Sequence, residues 1–362
     1  MKIAINLLNF FSKPMGGEER FTKNLINGFK KNSPEDLKFV YLITEPAFGK
    51  FKKEISDQQY IIFKVNHDRL IYRFIWLTFN LKNIVPDDID ILFNPQFKLQ
   101  RKLKGVKTVS VFHDTQNKDI AKNFSFLERR YFDYINYMTL KNSNELITIS
   151  EFSKSNIKKH YNIKKNLKVI YNPIQVIEDF SQTDIELVMK KYKVSKGEYY
   201  YSISAAYKHK NINVLIKIFN QTDRKLIISG PKRNYFSKST KLNDDCIIIT
   251  GFVNEKEKNI LIKNCKGFLF PSLYEGFGMP AVEALMHGKI VLAARRTAVP
   301  EITMQRALYI DNPSDAEEWR RKLKEIEQKG DENLFVNSKI FKDKYDYRSI
   351  SQEYIDYFRS LT

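Results

Sequence analysis

The sequence has no long apolar run. No stretch approaches the roughly 18 consecutive apolar residues that a membrane span needs, and the first residues, MKIAINLLNFFSK, lack the pattern of a cleavable signal peptide. We therefore expect a protein that stays in the cytoplasm. Only two cysteines are present, Cys246 and Cys265, without metal-ligand spacing or a disulfide framework, so we expect both to be small core side chains.

Acidic residues are also in deficit. The 362 residues include 61 Lys and Arg against 42 Asp and Glu, which gives a formal net charge of +19. The excess lies mainly in residues 1–175, whose net charge is +13. An acidic partner is therefore expected: phosphorylated substrates, an anionic membrane face or nucleic acid. No nucleic-acid recognition module is recognisable, so basic charge predicts only non-specific, salt-sensitive association with nucleic acid.

The apolar residues fall into short runs separated by longer amphipathic or charged stretches. This alternation is typical of a parallel α/β fold. It predicts seven strands between Ile3 and Ile170 and six between Tyr199 and Ile310. The predicted helices lie near Glu18–Lys31, Leu70–Leu81, Phe126–Lys141, Glu151–His160, Ile212–Asn220, Lys256–Lys263, Pro280–His287, Asp315–Glu327 and Arg348–Arg359.

The restart of the alternation indicates two domains. Tyr171-Asn172-Pro173 is a plausible linker, because proline restricts its own backbone and that of the residue before it. We expect a first domain at 1–170 and a second at 171–344. The carboxy-terminal helix, in residues 345–362, is expected to pack back on the first domain.

Residues 268–285, FLFPSLYEGFGMPAVEAL, carry the most specific chemistry. They predict a buried strand, a glycine-containing turn and a helix that begins at Pro280. Free N–H groups and the positive end of the helix dipole would then point at the turn, where a diphosphate could be held. Glu275 before the helix and Glu283 in its first turn could both face one ligand and accept hydrogen bonds from sugar or ribose hydroxyls.

The Glu-x(7)-Glu spacing of Glu275 and Glu283, with Gly-Phe-Gly-x-Pro between them, resembles the hallmark of retaining glycosyltransferases of family 4. The resemblance extends over nearly the whole chain. Its other motifs follow in the family's order: Gly16-Gly17, His113-Asp114, ITISEFS at 147–153, VIYNP at 169–173, Lys210-Asn211, LIISG at 226–230, Gly251-Phe252-Val253 and Val299-Pro300-Glu301.

The resemblance implies the GT-B fold: two Rossmann-like, parallel-sheet domains facing each other across a cleft. The first would bind a saccharide or lipid-linked acceptor, and the second a nucleotide-diphosphate sugar. Glu275 would contact hydroxyls of the transferred sugar, Glu283 the ribose and Lys210 the diphosphate. The predicted catalytic residues are His113, Lys210 and Glu275, and the predicted donor-binding residues are Gly16, Gly17, Lys208, Phe252, Gly276, Phe277, Gly278, Met279 and Glu283.

One position departs from the family. An Arg often stands five residues before the lysine, where this chain has Ala205, and Lys208 or His209 could substitute as the second cation. The departure keeps open a non-catalytic glycosyltransferase-like subunit that binds a partner enzyme. A nucleotide-sugar epimerase of the same fold is a further alternative.

Three further patterns in the sequence have both a structural and a functional interpretation. Asp88-Ile-Asp90 has the spacing of a metal motif but precedes its strand rather than ending one, so we expect no catalytic metal and no cofactor. Gly16-Gly17 lacks the full Gly-x-Gly-x-x-Gly pattern, which argues against a nicotinamide site.

In the segment from Arg69 to Lys82, Leu70, Phe74, Leu77 and Leu81 share one helical face, which predicts core packing. Additional apolar residues beside Arg69, Arg73 and Lys82 leave docking on an anionic membrane as the alternative.

Overall fold

The computed structural model describes residues 1–11, 16–32, 34–65, 70–96, 101–204, 207–231, 242–329 and 336–361. It divides into two compact units, one formed by Met1–Ile174 with Tyr345–Thr362 and the other by Gln175–Lys344. Ala205 and Arg69 lie outside the described residues, as do the side chains of Leu70, Arg73 and Phe74.

The first unit has a parallel seven-stranded sheet of order β3-β2-β1-β4-β5-β6-β7. Its strands are β1 Lys2–Asn6, β2 Lys38–Thr44, β3 Gln59–Phe63, β4 Ile91–Asn94, β5 Lys107–Phe112, β6 Glu145–Thr148 and β7 Leu167–Val169. Its helices are α1 Gly17–Asn32, α2 Glu45–Ile55, α3 Leu70–Ile84, α4 Gln116–Asp119, α5 Phe126–Asn142, α6 Glu151–Tyr161 and, from the end of the chain, α14 Tyr347–Arg359.

The second unit has a parallel six-stranded sheet of order β10-β9-β8-β11-β12-β13. Its strands are β8 Tyr199–Ile203, β9 Lys225–Ser229, β10 Ile247–Gly251, β11 Gly267–Phe270, β12 Val291–Ala294 and β13 Leu308–Ile310. Its helices are α7 Gln182–Tyr192, α8 Ile212–Phe219, α9 Glu255–Asn264, α10 Met279–Met286, α11 Val299–Ile302, α12 Ala316–Lys329 and α13 Ser338–Tyr345. The predicted pair of Rossmann-like parallel sheets is confirmed.

The strands form where they do because helices cover both faces of a parallel sheet, which selects continuous apolar runs. In β4 and β11, for example, every residue is buried. Cys246 and Cys265 are both buried free thiols, as expected. Cys246 lies in the apolar cluster of the second sheet with Trp319.

The carboxy-terminal helix α14 packs on α1 through a close contact at Gly28. A β-carbon at Gly28 would lie 2.5 Å from Ser351 Cβ and 2.6 Å from the Tyr347 carbonyl oxygen, so only glycine permits this approach. Asn32 Nδ2 donates to the Arg348 carbonyl at 2.9 Å and to Ser351 Oγ at 3.0 Å. Close packing and these hydrogen bonds together attach the end of the chain to the first sheet.

Helix α3 has two different faces. Leu77 and Leu81 are buried against the sheet, as predicted, whereas Tyr72, Ile75 and Phe79 are 48%, 46% and 70% exposed. None of the helices in the described ranges is long and apolar enough to cross a membrane.

Candidate functional site

Ligands of open parallel sheets bind beyond the carboxyl ends of the strands, where the strand order reverses. In the second unit the chain runs outward through β8, β9 and β10 and then returns to β11, which pairs with β8 on its other side. The loops that follow β8 and β11 therefore meet at the reversal point. They contain Lys208–Lys210 and residues 271–278.

The loop after β8 ends in a short 3-10 turn, Lys208–Lys210, and Asn211 follows in the left-handed region at φ 51°. The carbonyl oxygen of His209 accepts from Leu273 N at 2.7 Å and from Ser272 Oγ at 3.4 Å. These bonds join the loop after β8 to the loop after β11. The position of Lys210 is therefore set by backbone contacts between two neighbouring strands.

Lys210 and Glu275 form an ion pair across this reversal point. Lys210 Nζ lies 2.7 Å from Glu275 Oε1, and both side chains are partly exposed, at 22% and 13%. The backbone of Glu275 is held from the next loop, because its N–H donates to Thr297 Oγ1 at 3.0 Å. One cation and one carboxylate are thus fixed at the carboxyl ends of the strands, where both remain accessible to a ligand.

Helix α10 begins beside this pair with no side chain to cap it. Its N-cap is Gly278, at φ 108°, where a β-carbon would lie 3.3 Å from the Phe270 ring. The turn therefore requires glycine. The helix begins at Met279, one residue earlier than the sequence predicted, so Pro280 is its second residue. The uncapped first turn directs its N–H groups and the positive dipole end out of the helix.

Glu283 does not share the position of Glu275. It is the fifth residue of α10, in the second turn rather than the first, and it is completely buried. Its Oε2 lies 3.0 Å from Nζ of Lys258, a buried lysine of α9 that also contacts Glu255 Oε2 at 2.6 Å. Each carboxylate of the motif is thus paired with a different lysine, and their meeting at one ligand stays a prediction. Lys258 was missed, since in sequence it is one of several charges in a helical stretch.

His209, one of the two residues predicted to replace the arginine as a cation, is buried. Burial, reinforced by the positive charge of Lys210 and opposed by Glu275, lowers the pKa of its imidazole to about 4. A neutral ring at physiological pH supplies no charge. Lys208 is exposed and can supply one.

The other predicted donor residues of the second unit lie in the same set of loops. Gly276, Phe277, Gly278 and Met279 are buried where the loop after β11 leads into α10. Phe252 follows the carboxyl end of β10 and is 72% exposed. An exposed ring at the edge strand is free to stack on a planar group.

In the first unit, His113 directly follows the carboxyl end of β5 and is buried. Its Nε2 lies 2.8 Å from the Pro95 carbonyl oxygen, which can only accept, so Nε2 carries the hydrogen. Its ring packs edge to face on Phe21 of α1 at 4.9 Å. Gly16, at φ 70°, precedes α1, and Gly17 is its first residue.

Sequence reasoning missed a polar cluster at the reversal point of the first sheet. At the ends of β1 and β4, Asn6 Nδ2 donates to Asn94 Oδ1 at 2.7 Å, and both amides are buried. Gln96, two residues further on, donates from Nε2 to Glu18 Oε2 at 2.6 Å and so ties β4 to the first turn of α1. An asparagine at each strand end was the available signal, because a buried amide there requires a polar partner.

Asp88 and Asp90 have a structural role at the opposite edge of the sheet. Lys2, the first residue of β1, places Nζ 2.6 Å from Asp88 Oδ2 and donates its backbone N–H to Asp90 Oδ2 at 2.7 Å. Among the described residues, no three His, Cys, Asp or Glu side chains are arranged to hold a metal ion.

Comparisons with known proteins agree with this geometry. The model described as "Glycosyltransferase Family 4" matches residues 15–177, and "Glycosyl transferases group 1" matches residues 184–337. The O-antigen chain mannosyltransferase RfbU of Salmonella typhimurium is 28% identical over 236 residues, which cover 63% of each chain. O-antigen chain mannosyltransferase B of Escherichia coli is 24% identical over 243 residues, covering 63% of this chain and 62% of that protein. The chain thus spans somewhat less than two thirds of the length of these curated relatives.

A solved structure shows the same fold over the whole chain. HepE of Anabaena, crystallised with UDP and glucose, superposes with a TM-score of 0.74 at 16% identity, covering 99% of this chain and 100% of that one. The two family models each match one unit of the chain. The Glu275–Lys210 site lies within the residues matched by the group 1 model. The chain belongs to the glycosyltransferases of family 4, with the GT-B fold and a carboxy-terminal unit of the group 1 type.

Proposed function

We propose that this protein transfers a hexose, most specifically mannose, from a nucleotide-diphosphate sugar to a saccharide or lipid-linked acceptor, with retention of the anomeric configuration. The observation that carries the proposal is the Lys210–Glu275 pair at the reversal point of the second sheet, beside the uncapped start of α10. The choice of mannose is supported by the names of RfbU and mannosyltransferase B. Synthesis of a cell-surface polysaccharide or glycoconjugate is the corresponding biological role.

The ion pair suggests how the donor is received. Without ligand, Glu275 neutralises Lys210 at 2.7 Å. A diphosphate carries more charge than one carboxylate and presents several oxygens, so it can displace Glu275 from the ammonium. The released carboxylate can then accept hydrogen bonds from hydroxyls of the sugar. Donor binding would thereby exchange one partner of Lys210 for another.

In the transfer step, the bond between the anomeric carbon and the diphosphate oxygen breaks, and the acceptor oxygen forms a bond to that carbon on the same face of the sugar. The electron pair of that bond stays with the diphosphate, which takes the proton from the acceptor oxygen. Lys210 and the N–H groups at the start of α10 stabilise the growing negative charge, by preorganised electrostatics. Phe252 is assigned to the base and His113 to the transfer step, and the ribose contact of Glu283, which is buried beside Lys258, stays a prediction.

A panel of nucleoside-diphosphate sugars that varies the base and the hexose tests the donor. The true donor should raise the melting temperature, since a ligand at about a hundredfold its dissociation constant adds about 2.7 kcal/mol to stability. Incubation with an acceptor mixture and analysis of the product's anomeric configuration tests transfer and retention. An isomerised nucleotide sugar without transfer would identify an epimerase, and binding without any reaction would favour a non-catalytic subunit.

We further propose that the diphosphate is held without a metal ion. Lys210, Lys208 and the start of α10 supply the positive charge that a bound cation provides in other sites. Transfer by the purified protein should therefore persist at more than half its rate in EDTA. Complete loss that manganese restores would contradict this assignment of the phosphate site.

A further inference from the structure

A second positively charged site lies in the first unit, outside the donor site. Helix α4, the short helical turn 121–123 and the first half of α5 enclose a cavity of about 190 Å³. Its polar walls are Asn117, Lys118, Arg129, Arg130 and Asp133. α4 begins three residues after His113, so the cavity belongs to the segment that leaves the carboxyl end of β5.

The single carboxylate of the cavity is already occupied. Asp133 accepts from Asn117 Nδ2 at 2.7 Å through Oδ1, and its Oδ2 lies 2.8 Å from Lys118 Nζ. Asp133 therefore neutralises Lys118 and leaves the two arginines uncompensated. The lining as a whole has three cations against one anion.

Among the described residues, the two arginines find no acceptor. Neither Arg129 nor Arg130 forms an ion pair or a side-chain hydrogen bond with any residue in the described part of the chain, and the Nε of Arg129 is buried without a partner. A buried donor left unsatisfied is unfavourable, and native structures rarely keep one without a reason. Guanidinium groups present a fork of donors that matches the oxygens of phosphate.

The rim of the cavity restricts the ligand further. The cavity is partly open to solvent and, at about 190 Å³, has room for a phosphate group. Phe126 lines the cavity and is 65% exposed, and Leu127 beside it is 78% exposed. Two adjacent exposed apolar side chains next to unpaired arginines fit a molecule that joins phosphate to a hydrocarbon chain.

We propose that this α4–α5 cavity binds the phosphate of a lipid-linked acceptor, with Arg129 and Arg130 holding the phosphate oxygens and Phe126 and Leu127 contacting the lipid chain. The identification of the ligand as the acceptor rests on the proposed function. The binding site itself does not, because phosphate recognition here requires neither donor nor transfer. The cavity would hold the anchored end of the acceptor while its saccharide end remains available for reaction.

Calorimetric titration with farnesyl diphosphate, inorganic pyrophosphate and farnesol separates the two contributions. Farnesyl diphosphate should bind at least tenfold more tightly than pyrophosphate, and farnesol alone should not bind measurably. Arg129→Gln and Arg130→Gln should each weaken farnesyl diphosphate binding at least tenfold. Phe126→Ser should remove most of the advantage of farnesyl diphosphate over pyrophosphate. Arg101→Gln, which removes the same charge from an exposed arginine of the same unit, should change the affinity less than twofold.

Three results would overturn the proposal. Unchanged farnesyl diphosphate binding by both arginine variants would place the ligand elsewhere, and loss in Lys210→Ala instead would assign it to the donor site. Equal losses in Arg101→Gln and Arg129→Gln would show general charge attraction only. Equal binding of farnesol and farnesyl diphosphate would show an apolar surface without phosphate recognition.

The outcome is also distinguishable from failure of the proposed function. If no donor and acceptor pair reacts, arginine-dependent binding of farnesyl diphosphate still establishes the cavity as a lipid-phosphate site. If transfer occurs, the arginine variants should raise KM at least tenfold for a phosphate-bearing lipid acceptor. KM for the same saccharide on a phosphate-free alkyl chain should be unchanged, as should donor hydrolysis.

Discussion

At the scale of single residues, the donor site depends on which partner each charged group has before the ligand arrives. Glu275 and Lys210 are within 2.7 Å of each other and partly exposed. Glu283 and Lys258 form a second pair that is fully enclosed. The first pair can exchange partners with a ligand at little cost in solvation, whereas the second is part of the packed interior. The two glutamates of one motif therefore respond differently to substitution.

We expect Glu275→Gln to separate binding from turnover. Removal of the carboxylate leaves Lys210 without its competing anion, so affinity for the free nucleoside diphosphate should stay the same or rise a few-fold. Transfer should fall at least a hundredfold, because the amide makes weaker hydrogen bonds to the sugar hydroxyls than the carboxylate. Titration of the diphosphate followed by single-turnover transfer measures both. Normal transfer by this variant would remove Glu275 from the catalytic residues.

We expect Lys258→Met to destabilise the second unit. The side chains of Lys258 and Glu283 are 5% and 0% exposed, so loss of the ammonium leaves a buried carboxylate with less compensating charge. Breaking such a pair typically costs about 3–5 kcal/mol. Urea unfolding of the variant, and of Lys258→Met with Glu283→Gln, measures the effect, and the double variant should regain more than half of the loss. Wild-type stability of the single variant would show that Glu255 is the main partner of Lys258.

At the scale of secondary-structure elements, the strands were the most predictable part of the fold. Every residue of β4 and β11 is buried, so these strands appear in the sequence as apolar runs. Helix α2 was not predicted, because Pro46 and Gly49 within it are residues that usually interrupt helices. Pro46 is tolerated because it lies in the first turn, where its missing N–H has no helical acceptor.

The candidate site was predicted in its loops but not in its pairings. Glycine and proline positions located the turn before α10, since proline restricts the local backbone and glycine permits conformations that other residues rarely adopt. The partners of Lys258 and Gln96 depend on which distant elements pack together. A buried lysine and an exposed one look alike in a single sequence.

The contact between α9 and α10 makes the second unit sensitive to acid. His287, at the end of α10, lies with Nε2 2.8 Å from Asn259 Oδ1 of α9. Burial lowers the pKa of its imidazole to about 4, Glu178 opposes the shift, and Lys263, Lys342 and Lys258 add to it. In the unfolded chain the group titrates near its ordinary value of 6.5. Between these values the unfolded state binds more protons, so stability falls as pH falls.

We therefore expect the unfolding free energy of the second unit to decrease from pH 6.5 to pH 4, and His287→Gln to reduce this slope. The contribution of one such histidine is at most about 1.4 kcal/mol per pH unit. His209, with its pKa also lowered to about 4, and the carboxyl groups of Asp184 and Glu327, whose pKa values are lowered by their cationic partners, contribute to the remaining slope. Trp319 is buried in the second unit, so a Trp76→Phe background lets its fluorescence report urea unfolding of that unit alone. Identical slopes with and without His287 would mean that its burial does not control protonation.

At the scale of the whole molecule, charge and exposed apolar surface are both concentrated in the amino-terminal part of the chain. Residues 1–175 have a net charge of +13 of the total +19. The exposed face of α3 presents Tyr72, Ile75 and Phe79 at positions i, i+3 and i+7, with exposed Lys82 nearby. Apolar side chains beside basic charge are the requirements for adsorption to an anionic membrane surface. We propose this face of α3 as the surface that meets such a membrane.

We expect the double variant Ile75→Ser, Phe79→Ser to bind vesicles containing phosphatidylglycerol at least tenfold more weakly than the wild type. Both side chains are largely exposed, at 46% and 70%, so the folded state loses little packing while the membrane-bound state loses apolar burial. Leu187→Ser is the matched control, because Leu187 is 62% exposed on α7 of the other unit. Raising the salt from about 0.15 M to 0.5 M should weaken binding of all three proteins, since it screens the basic charge. Vesicle binding that is equal in the double variant and the Leu187 control would show that α3 does not meet the membrane, and its exposed face would then have to serve a different partner.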